Sequence, residues 1–245
     1  MGEELSLSHD TFECLLEAKK LYELTNGLFD ITSGKIIDYW KYKDLKSRED
    51  YKSSVIGMNQ IHLDESKHSI IILSNDLRVD LGGFGKGYAI DRVCELLADW
   101  EIDNCLIHSG GSTVKAMGKL NGYNGWPISV SNPSNPSQNI AEIILKDQSL
   151  SGSGEQKGTH IINPKTLLPI KKTVAAWSIT NSAAISDALS TSFMIMEIED
   201  FEEFCNNNDF ISGIVVKNNT PNLSKKDVLF SNSLIDKQVV TKSIF

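Results

Sequence analysis

The stretch that most restricts the fold of this chain is VDLGGFGKGYAID, residues 79–91, in which four glycines and one lysine lie between two aspartates. β-branched residues precede it and apolar residues recur at helical spacing after it, which predicts the order strand, glycine turn, helix. Glycine permits positive φ and lets backbone amides approach a ligand, and a helix N-terminus adds free N–H groups. The stretch therefore predicts a turn that can cradle a diphosphate, with Lys86 supplying a positive charge.

Two familiar phosphate-binding motifs do not fit this turn. A P-loop needs a glycine six residues before its lysine and Ser or Thr after it, whereas Asp80 and Gly87 occupy those positions. A dinucleotide fingerprint, G-x-G-x-x-G, fails because Tyr88 stands where the third glycine belongs. A tight connection in which the glycines only allow close packing is the alternative, and the turn alone does not decide between the two.

Composition excludes several classes of protein. Hydrophobic residues make up 40% and charged residues 23% of the 245 residues, which indicates a globular chain of one large domain or two small ones. The net charge of −8 provides no positive field for nucleic acid. No apolar run reaches the length of a membrane span, and the acidic start MGEELSLSHD is unlike a signal peptide, so we expect no membrane segment and no export of the chain as written.

The four cysteines are scattered without C-x-x-C spacing, which indicates free thiols rather than a zinc site or a disulfide framework.

Hydrophobic periodicity predicts helices and short strands in alternation, hence an α+β fold with largely antiparallel pairing. Before the glycine turn, the predicted elements are a helix over 8–27 that Ser8 caps, a loop and short helix after Gly27, a polar surface excursion over 41–60 and a hairpin within 61–73. After it they are an amphipathic helix over 87–100, paired strands in NCLIHSGGSTVKAMG and WPISVSNP, and a strand in AEIILKDQSLSGSG that runs into a small-residue loop. The last predicted elements are a helix over 182–197 and strands over 211–216 and 226–230.

Three further patterns carry candidate chemistry. Asp187 and Thr191 lie four apart on one helix face, and their oxygens suit Mg²⁺, although a solvated face or an intrahelical hydrogen bond is the more frequent reason for such a pair. His160 precedes a strand-like run and is a candidate general base, because histidine side chains accept protons near neutral pH; a structural histidine is the alternative. Phe29 and Asp30 could contact an aromatic ligand and its ribose, or be a core residue and a cap.

Taken together and in order, these stretches resemble the ApbE family of FAD:protein FMN transferases. The resemblance rests on five segments along nearly the whole chain: GLFDITSGKIIDYW, DLGGFGKGYAID, HSGGSTVKAMG, SGSGEQKGTHIINPKTLLP and DALST. Departures from the family pattern are Gly85, Ser112, Asn163 and Leu167, none of which removes a group assigned to chemistry.

The resemblance implies a role for each matching residue. It implies that the bound nucleotide is FAD and that the cation is Mg²⁺. His160 matches the family's catalytic histidine, which also contacts the flavin nucleotide. The implied metal ligands are the Gly83 carbonyl, Asp187 and Thr191. The other implied FAD contacts are Leu28, Phe29, Asp30, Asp80 and Lys86.

The implied reaction is Mg²⁺-dependent transfer of FMN from FAD to a Ser or Thr hydroxyl of an acceptor flavoprotein, in trans or fused, with release of AMP. A pyrophosphatase that splits FAD to FMN and AMP, and a non-catalytic FAD-binding or scaffolding domain, are the alternatives. We expect residues 1–245 to form one ApbE-like flavin transferase domain. Because family members usually carry a further N-terminal strand and helix, we also expect this domain to be an N-terminally shortened form.

Overall fold

The computed structural model describes residues 2–42, 55–155, 161–236 and 240–243. Most of the predicted excursion over 41–60, and His160, lie outside these residues. In chain order the elements are β1 (Glu4–Ser6), α1 (His9–Leu24), α2 (Gly34–Tyr42), a short 3-10 helix (Met58–Gln60), β2 (Ile61–Asp64), β3 (Ser69–Ile72), α3 (Gly85–Asp99), β4 (Cys105–Ser109), β5 (Thr113–Met117), β6 (Trp126–Asn132), β7 (Asn135–Leu145), β8 (Ser149–Gly154), β9 (Ile162–Asn163), β10 (Leu168–Pro169), β11 (Ala175–Thr180), α4 (Ala183–Ile195), α5 (Ile198–Asn206), β12 (Ser212–Val216), β13 (Val228–Phe230), α6 (Asn232–Asp236) and β14 (Val240–Ser243).

The chain forms two compact units, each built from two separate stretches. Unit 1 takes its residues from Met1–Gly82 and Lys157–Ile170, and unit 2 from Gly83–Gln156 and Lys171–Phe245. All the sheets of the described residues pair in antiparallel fashion, and helices accompany them in both units, so the predicted α+β class is confirmed. The prediction of one domain over 1–245 stays a prediction.

Helix α1 of unit 1 forms as its sequence predicts. The Ser8 hydroxyl accepts a hydrogen bond from the Thr11 amide at 3.3 Å, which satisfies one of the free N–H groups of the first turn. Asn26 and Gly27 follow the helix with φ of 50° and 78°, the left-handed conformation that ends helices. The buried face of the helix consists of Phe12, Cys14, Leu15, Ala18 and Leu21.

The predicted hairpin of unit 1 is also present, with β3 between β1 and β2. The predicted order of strand, glycine turn and helix is confirmed, but β3 ends at Ile72, well before the turn. Between Leu73 and Phe84 the backbone makes one isolated parallel bridge, Arg78 to Ser33, and no regular strand. The Arg78 stretch therefore binds the loop before α2 instead of extending a sheet.

A six-stranded sheet in the order β13-β12-β11-β8-β5-β4 is the centre of unit 2. Strand β8 is SLSGSG, so the expected small-residue loop is wrong: this segment is an internal strand between β5 and β11. Small residues are needed here because a Cβ on Gly152 would lie 2.6 Å from Nε1 of Trp177 on the neighbouring strand.

The core of unit 2 combines one face of this sheet with the three-stranded sheet β14-β7-β6, through buried residues such as Val114, Ile143 and Ile214. Helix α4 is central as well: eleven of its thirteen residues are buried, so it lacks the polar face of a surface helix. Short side chains dominate its sequence, AAISDALSTSFMI, and allow close packing against its neighbours.

Helix α3 departs from its expected amphipathic packing. Ile90 is buried, but Val93, Leu96 and Trp100 are 42%, 60% and 76% exposed. The spacing therefore predicts the helix and not the burial of its apolar stripe. In the part of the chain that the structure covers, no helix is both long and apolar enough to cross a membrane.

Candidate functional site

Asp187 is the centre of a charged site in unit 2. Its side chain is only 3% exposed, and the Lys86 ammonium donates to both carboxylate oxygens, at 3.2 and 3.1 Å. The amide of Gly87 donates to Oδ2 at 3.1 Å, and the Thr113 hydroxyl lies 3.5 Å from Oδ1. A buried carboxylate with a cation and an amide donor has the partners that burial of a charge requires.

Thr191 lies one turn further along α4, and its hydroxyl contacts one serine of β8. The Ser153 hydroxyl lies 3.1 Å from Thr191 Oγ1 and 2.8 Å from Ser190 Oγ. Ser190 in turn donates to the Asp187 carbonyl at 2.8 Å. Ser151, two residues before Ser153 on the same strand face, donates to Thr113 at 3.3 Å. The contact with Ser153 therefore restricts the orientation of the Thr191 hydroxyl, one helical turn from Asp187.

A second polar feature of unit 2 lies at the β4–β5 turn. Gly110 and Gly111 have φ of 60° and 74°, which glycine adopts readily, and a Cβ at either position would meet no atom within 4 Å. Ser112 follows them, and its hydroxyl is buried without a hydrogen-bond partner among the described residues. The Ser112 carbonyl accepts from the Gly152 amide at 2.7 Å, which ties this turn to β8.

Phe29 and Asp30 belong to unit 1, in the loop before α2. Phe29 is buried, and one oxygen of Asp30 accepts from the Thr32 amide at 2.8 Å and the Thr32 hydroxyl at 2.6 Å. Burial raises the pKa of the Asp30 carboxyl, and the two bonds from Thr32 oppose that shift. Leu28 is half-buried just before them, with its amide on the Thr25 carbonyl.

Two of the family segments meet within unit 1. The Asp80 amide donates to the Ile31 carbonyl at 2.7 Å, which brings the start of the glycine turn next to the Asp30 loop. The Asp80 side chain accepts from the Gly82 amide at 2.6 Å and so shapes the turn itself.

The predicted residues thus fall into two sets. Leu28, Phe29, Asp30 and Asp80 lie together in unit 1, and Lys86, Asp187 and Thr191 lie together in unit 2. Gly83 belongs to unit 2 and directly precedes Phe84, the N-cap residue of α3. His160 lies outside the described residues. The assignment of these residues to FAD, to a cation and to catalysis stays a prediction.

Sequence reasoning missed three residues that contact α4. Thr113 lies near the Asp187 carboxylate, Ser153 contacts Thr191, and Asp91 contacts the first turn of the helix. Alternate residues of SLSGSG carry hydroxyls, the period of a strand, and that signal could have placed Ser151 and Ser153 on one face. Within the described ranges no group of three His, Cys, Asp or Glu side chains is arranged to hold a metal ion. A cation at Asp187 therefore depends on hydroxyl and carbonyl oxygens, the ligand type that Mg²⁺ accepts.

Comparison with solved structures defines the class of fold. The flavin transferase ApbE from Vibrio cholerae matches with a TM-score of 0.82 and 23% identity, covering 96% of this chain and 79% of that one. The ApbE protein from Thermotoga maritima also gives a TM-score of 0.82, at 23% identity over 98% of this chain and 81% of that one. The fold is therefore that of the ApbE flavin transferases.

The family follows from the sequence comparison. The ApbE family model matches residues 1–214, and the chain belongs to the ApbE family. Among its relatives, the FAD:protein FMN transferase of Haemophilus influenzae is 24% identical, covering 92% of this chain and 71% of that protein. Those of Buchnera aphidicola and Vibrio cholerae are 26% and 28% identical, covering 78% and 80% of this chain. The chain spans only 62% and 63% of the length of these last two.

Proposed function

We propose that this chain transfers FMN from FAD to a Ser or Thr hydroxyl of an acceptor flavoprotein and releases AMP. The observation that carries the proposal is the buried Asp187 carboxylate, which Lys86 and the Gly87 amide hold at the start of α3, directly after the glycine turn. The name that the curated relatives carry, FAD:protein FMN transferase, supports the same reaction.

The reaction needs a base and a means to stabilise negative charge. The acceptor oxygen forms a bond to the phosphorus on the FMN side, the bridging P–O bond breaks, and AMP leaves with that bridging oxygen. A hydroxyl is a weak nucleophile at pH 7, so a general base must take its proton. We assign this base to His160 from the family motif.

Lys86 and the first turn of α3 provide fixed positive charge for the diphosphate. Lys86 is 37% exposed while it pairs with the buried Asp187, so its ammonium lies at the boundary between that carboxylate and the surface. The positive end of a helix dipole favours anions in the same region. In unit 1, the Asp30 and Asp80 loops are assigned to the flavin nucleotide.

The residues around Asp187 fit a magnesium ion. A carboxylate and a threonine hydroxyl one helical turn apart are hard oxygen donors, and Ser153 fixes the orientation of that hydroxyl. We assign the site to Asp187, Thr191 and the Gly83 carbonyl. When bound, a divalent cation there neutralises charge on the phosphate oxygens.

One assay separates this function from its alternatives. The chain is incubated with FAD, Mg²⁺ and a candidate acceptor, and AMP, free FMN and flavin fluorescence on the denatured acceptor are measured. Transfer gives AMP and a fluorescent acceptor in equal amounts. AMP with an equal amount of free FMN and a dark acceptor indicates a pyrophosphatase, and no AMP at all indicates a binding domain; either result contradicts the proposal.

Two variants test the assigned residues. Asp187→Ala should lose turnover by ~10²–10³, the usual cost of one charge-stabilising group, whereas Asp200→Ala, an exposed aspartate on α5, should not. His160→Ala should still bind FAD but lose transfer, with the exposed His62→Ala as its control. Transfer by His160→Ala at the unmutated rate would show that another group is the base.

A further inference from the structure

Helices α3 and α4 cap each other through two aspartates. Asp91, in the second turn of α3, accepts hydrogen bonds from the amides of Ala183 and Ala184, both at 2.9 Å. The Ser182 hydroxyl, at the N-cap of α4, donates to the same carboxylate at 2.7 Å. Asp91 therefore satisfies two free N–H groups of the first turn of α4 and places a negative charge at its positive end.

Asp187 makes the converse contact. It lies in the second turn of α4 and accepts from the amide of Gly87 in the first turn of α3. The N-cap residue of α3, Phe84, makes no side-chain capping bond, so Asp187 takes over part of that role. Each helix thus carries a small residue in its first turn and an aspartate four residues later: Gly87 and Asp91 on α3, Ala183 and Asp187 on α4.

The small residues bring the two backbones into contact at this point. A Cβ on Gly87 would lie 2.1 Å from the Ala183 carbonyl oxygen and 2.8 Å from the Ala184 Cα. At such a separation a shift of α4 along or away from α3 changes both capping contacts together. Bonds that hold the first turn of α4 therefore also determine where Asp187 lies, one turn later.

We propose that Asp91 is a positioning residue that holds α4 in register with α3 and so keeps the Asp187 carboxylate beside Lys86 and Gly87. The inference rests on the proposed function only in giving Asp187 the role of a metal ligand. Asp91 itself contacts helix amides and a serine hydroxyl, and we assign it no contact with substrate. Its loss should therefore act through the placement of Asp187.

The Gly87 amide provides a readout for this coupling, because it bonds to Asp187 and not to Asp91. We expect Asp91→Asn and Asp91→Ala to speed hydrogen exchange at the Gly87 amide at least tenfold, and to weaken Mn²⁺ binding, followed by electron paramagnetic resonance, at least tenfold. Asp91→Asn keeps one acceptor oxygen, and it is the variant to measure if Asp91→Ala does not fold. With FAD, the same variants should lower kcat more than they raise KM.

Ser182→Ala is the matched control, since it removes the capping hydroxyl of α4 but leaves both amide bonds to Asp91. The positioning role is refuted if Asp91→Asn and Ser182→Ala show the same hydrogen-exchange rate at the Gly87 amide and the same Mn²⁺ affinity. The hydrogen-exchange result is independent of catalysis: an unmutated chain without transferase activity overturns the proposed function alone, and the Gly87 measurement still decides the role of Asp91.

Discussion

Replacing Gly87 with alanine tests the close contact between α3 and α4 in a way that needs no ligand. Helix propensity alone favours the change, because alanine is about 1 kcal/mol better than glycine within a helix. Sterically the change is unfavourable, since the new methyl group would lie 2.1 Å from the Ala183 carbonyl oxygen and 2.5 Å from its carbon. Both are backbone atoms, so no side-chain rotation relieves the contact.

The steric effect should win. Forced overpacking costs about 1–3 kcal/mol, and a contact with helix backbone belongs at the upper end of that range. After the gain in propensity, we expect Gly87→Ala to lower the free energy of unfolding by about 2 kcal/mol, with the propensity term set against the packing term. For a chain of this size that lowers the unfolding midpoint by about 4–8 °C. Urea titration and a thermal scan followed by circular dichroism measure both quantities.

Gly154→Ala is the control for this experiment. Its Cβ would meet the Val174 carbonyl oxygen at 3.3 Å and other atoms beyond 3.5 Å, so the change should alter stability by less than about 1 kcal/mol. The reasoning about helix contact is refuted if Gly87→Ala stabilises the chain by the roughly 1 kcal/mol that propensity predicts.

Two further predictions concern pH. Burial raises the pKa of Asp30 above its ordinary 3.8. The stability that the neutral carboxyl contributes is therefore complete below pH 3.8 and is lost as pH rises through the folded-state pKa. Asp30→Asn keeps an acceptor for Thr32, so its urea midpoint should exceed that of the unmutated chain at pH 7 and equal it at pH 3. Burial raises the pKa of Cys205 from 9.0 to about 12, so between pH 9 and pH 12 only the unfolded chain ionises this thiol. The free energy of unfolding should therefore fall by about 1.4 kcal/mol per pH unit above pH 9. Cys205→Ala should show a shallower decline in urea midpoints between pH 8 and 10.5, and equal slopes would contradict the burial argument.

Local patterns predicted much of the fold because their causes are local. The cap at Ser8 and the Asn26–Gly27 ending define α1, and the hairpin turn defines β2 and β3. The residues of SLSGSG were misjudged because their conformation is set by neighbours distant in sequence. Small side chains are typical of loops, yet here they allow β8 to pair beside Trp177 and to pack against α4.

The candidate site shows the same limit. The spacing of Asp187 and Thr191 placed them on one helix face, and the structure adds the hydroxyls that hold them. Nothing in the local sequence indicates that Asp91 caps a helix that begins 92 residues later, since the pairing depends on how α3 and α4 pack. Capping of this kind is set by the tertiary packing of two helices that are distant in sequence.

The discontinuous composition of unit 1 has a consequence for synthesis on the ribosome. Trp40 donates its ring N–H to the Leu167 carbonyl at 2.9 Å, so a partner needed by the first stretch emerges only after the intervening part of unit 2. At about 5–20 residues per second, translation from residue 82 to residue 170 takes about 4–18 s. During that interval the amino-terminal stretch lacks the part of unit 1 that supplies its later partners, while the nascent chain continues to grow.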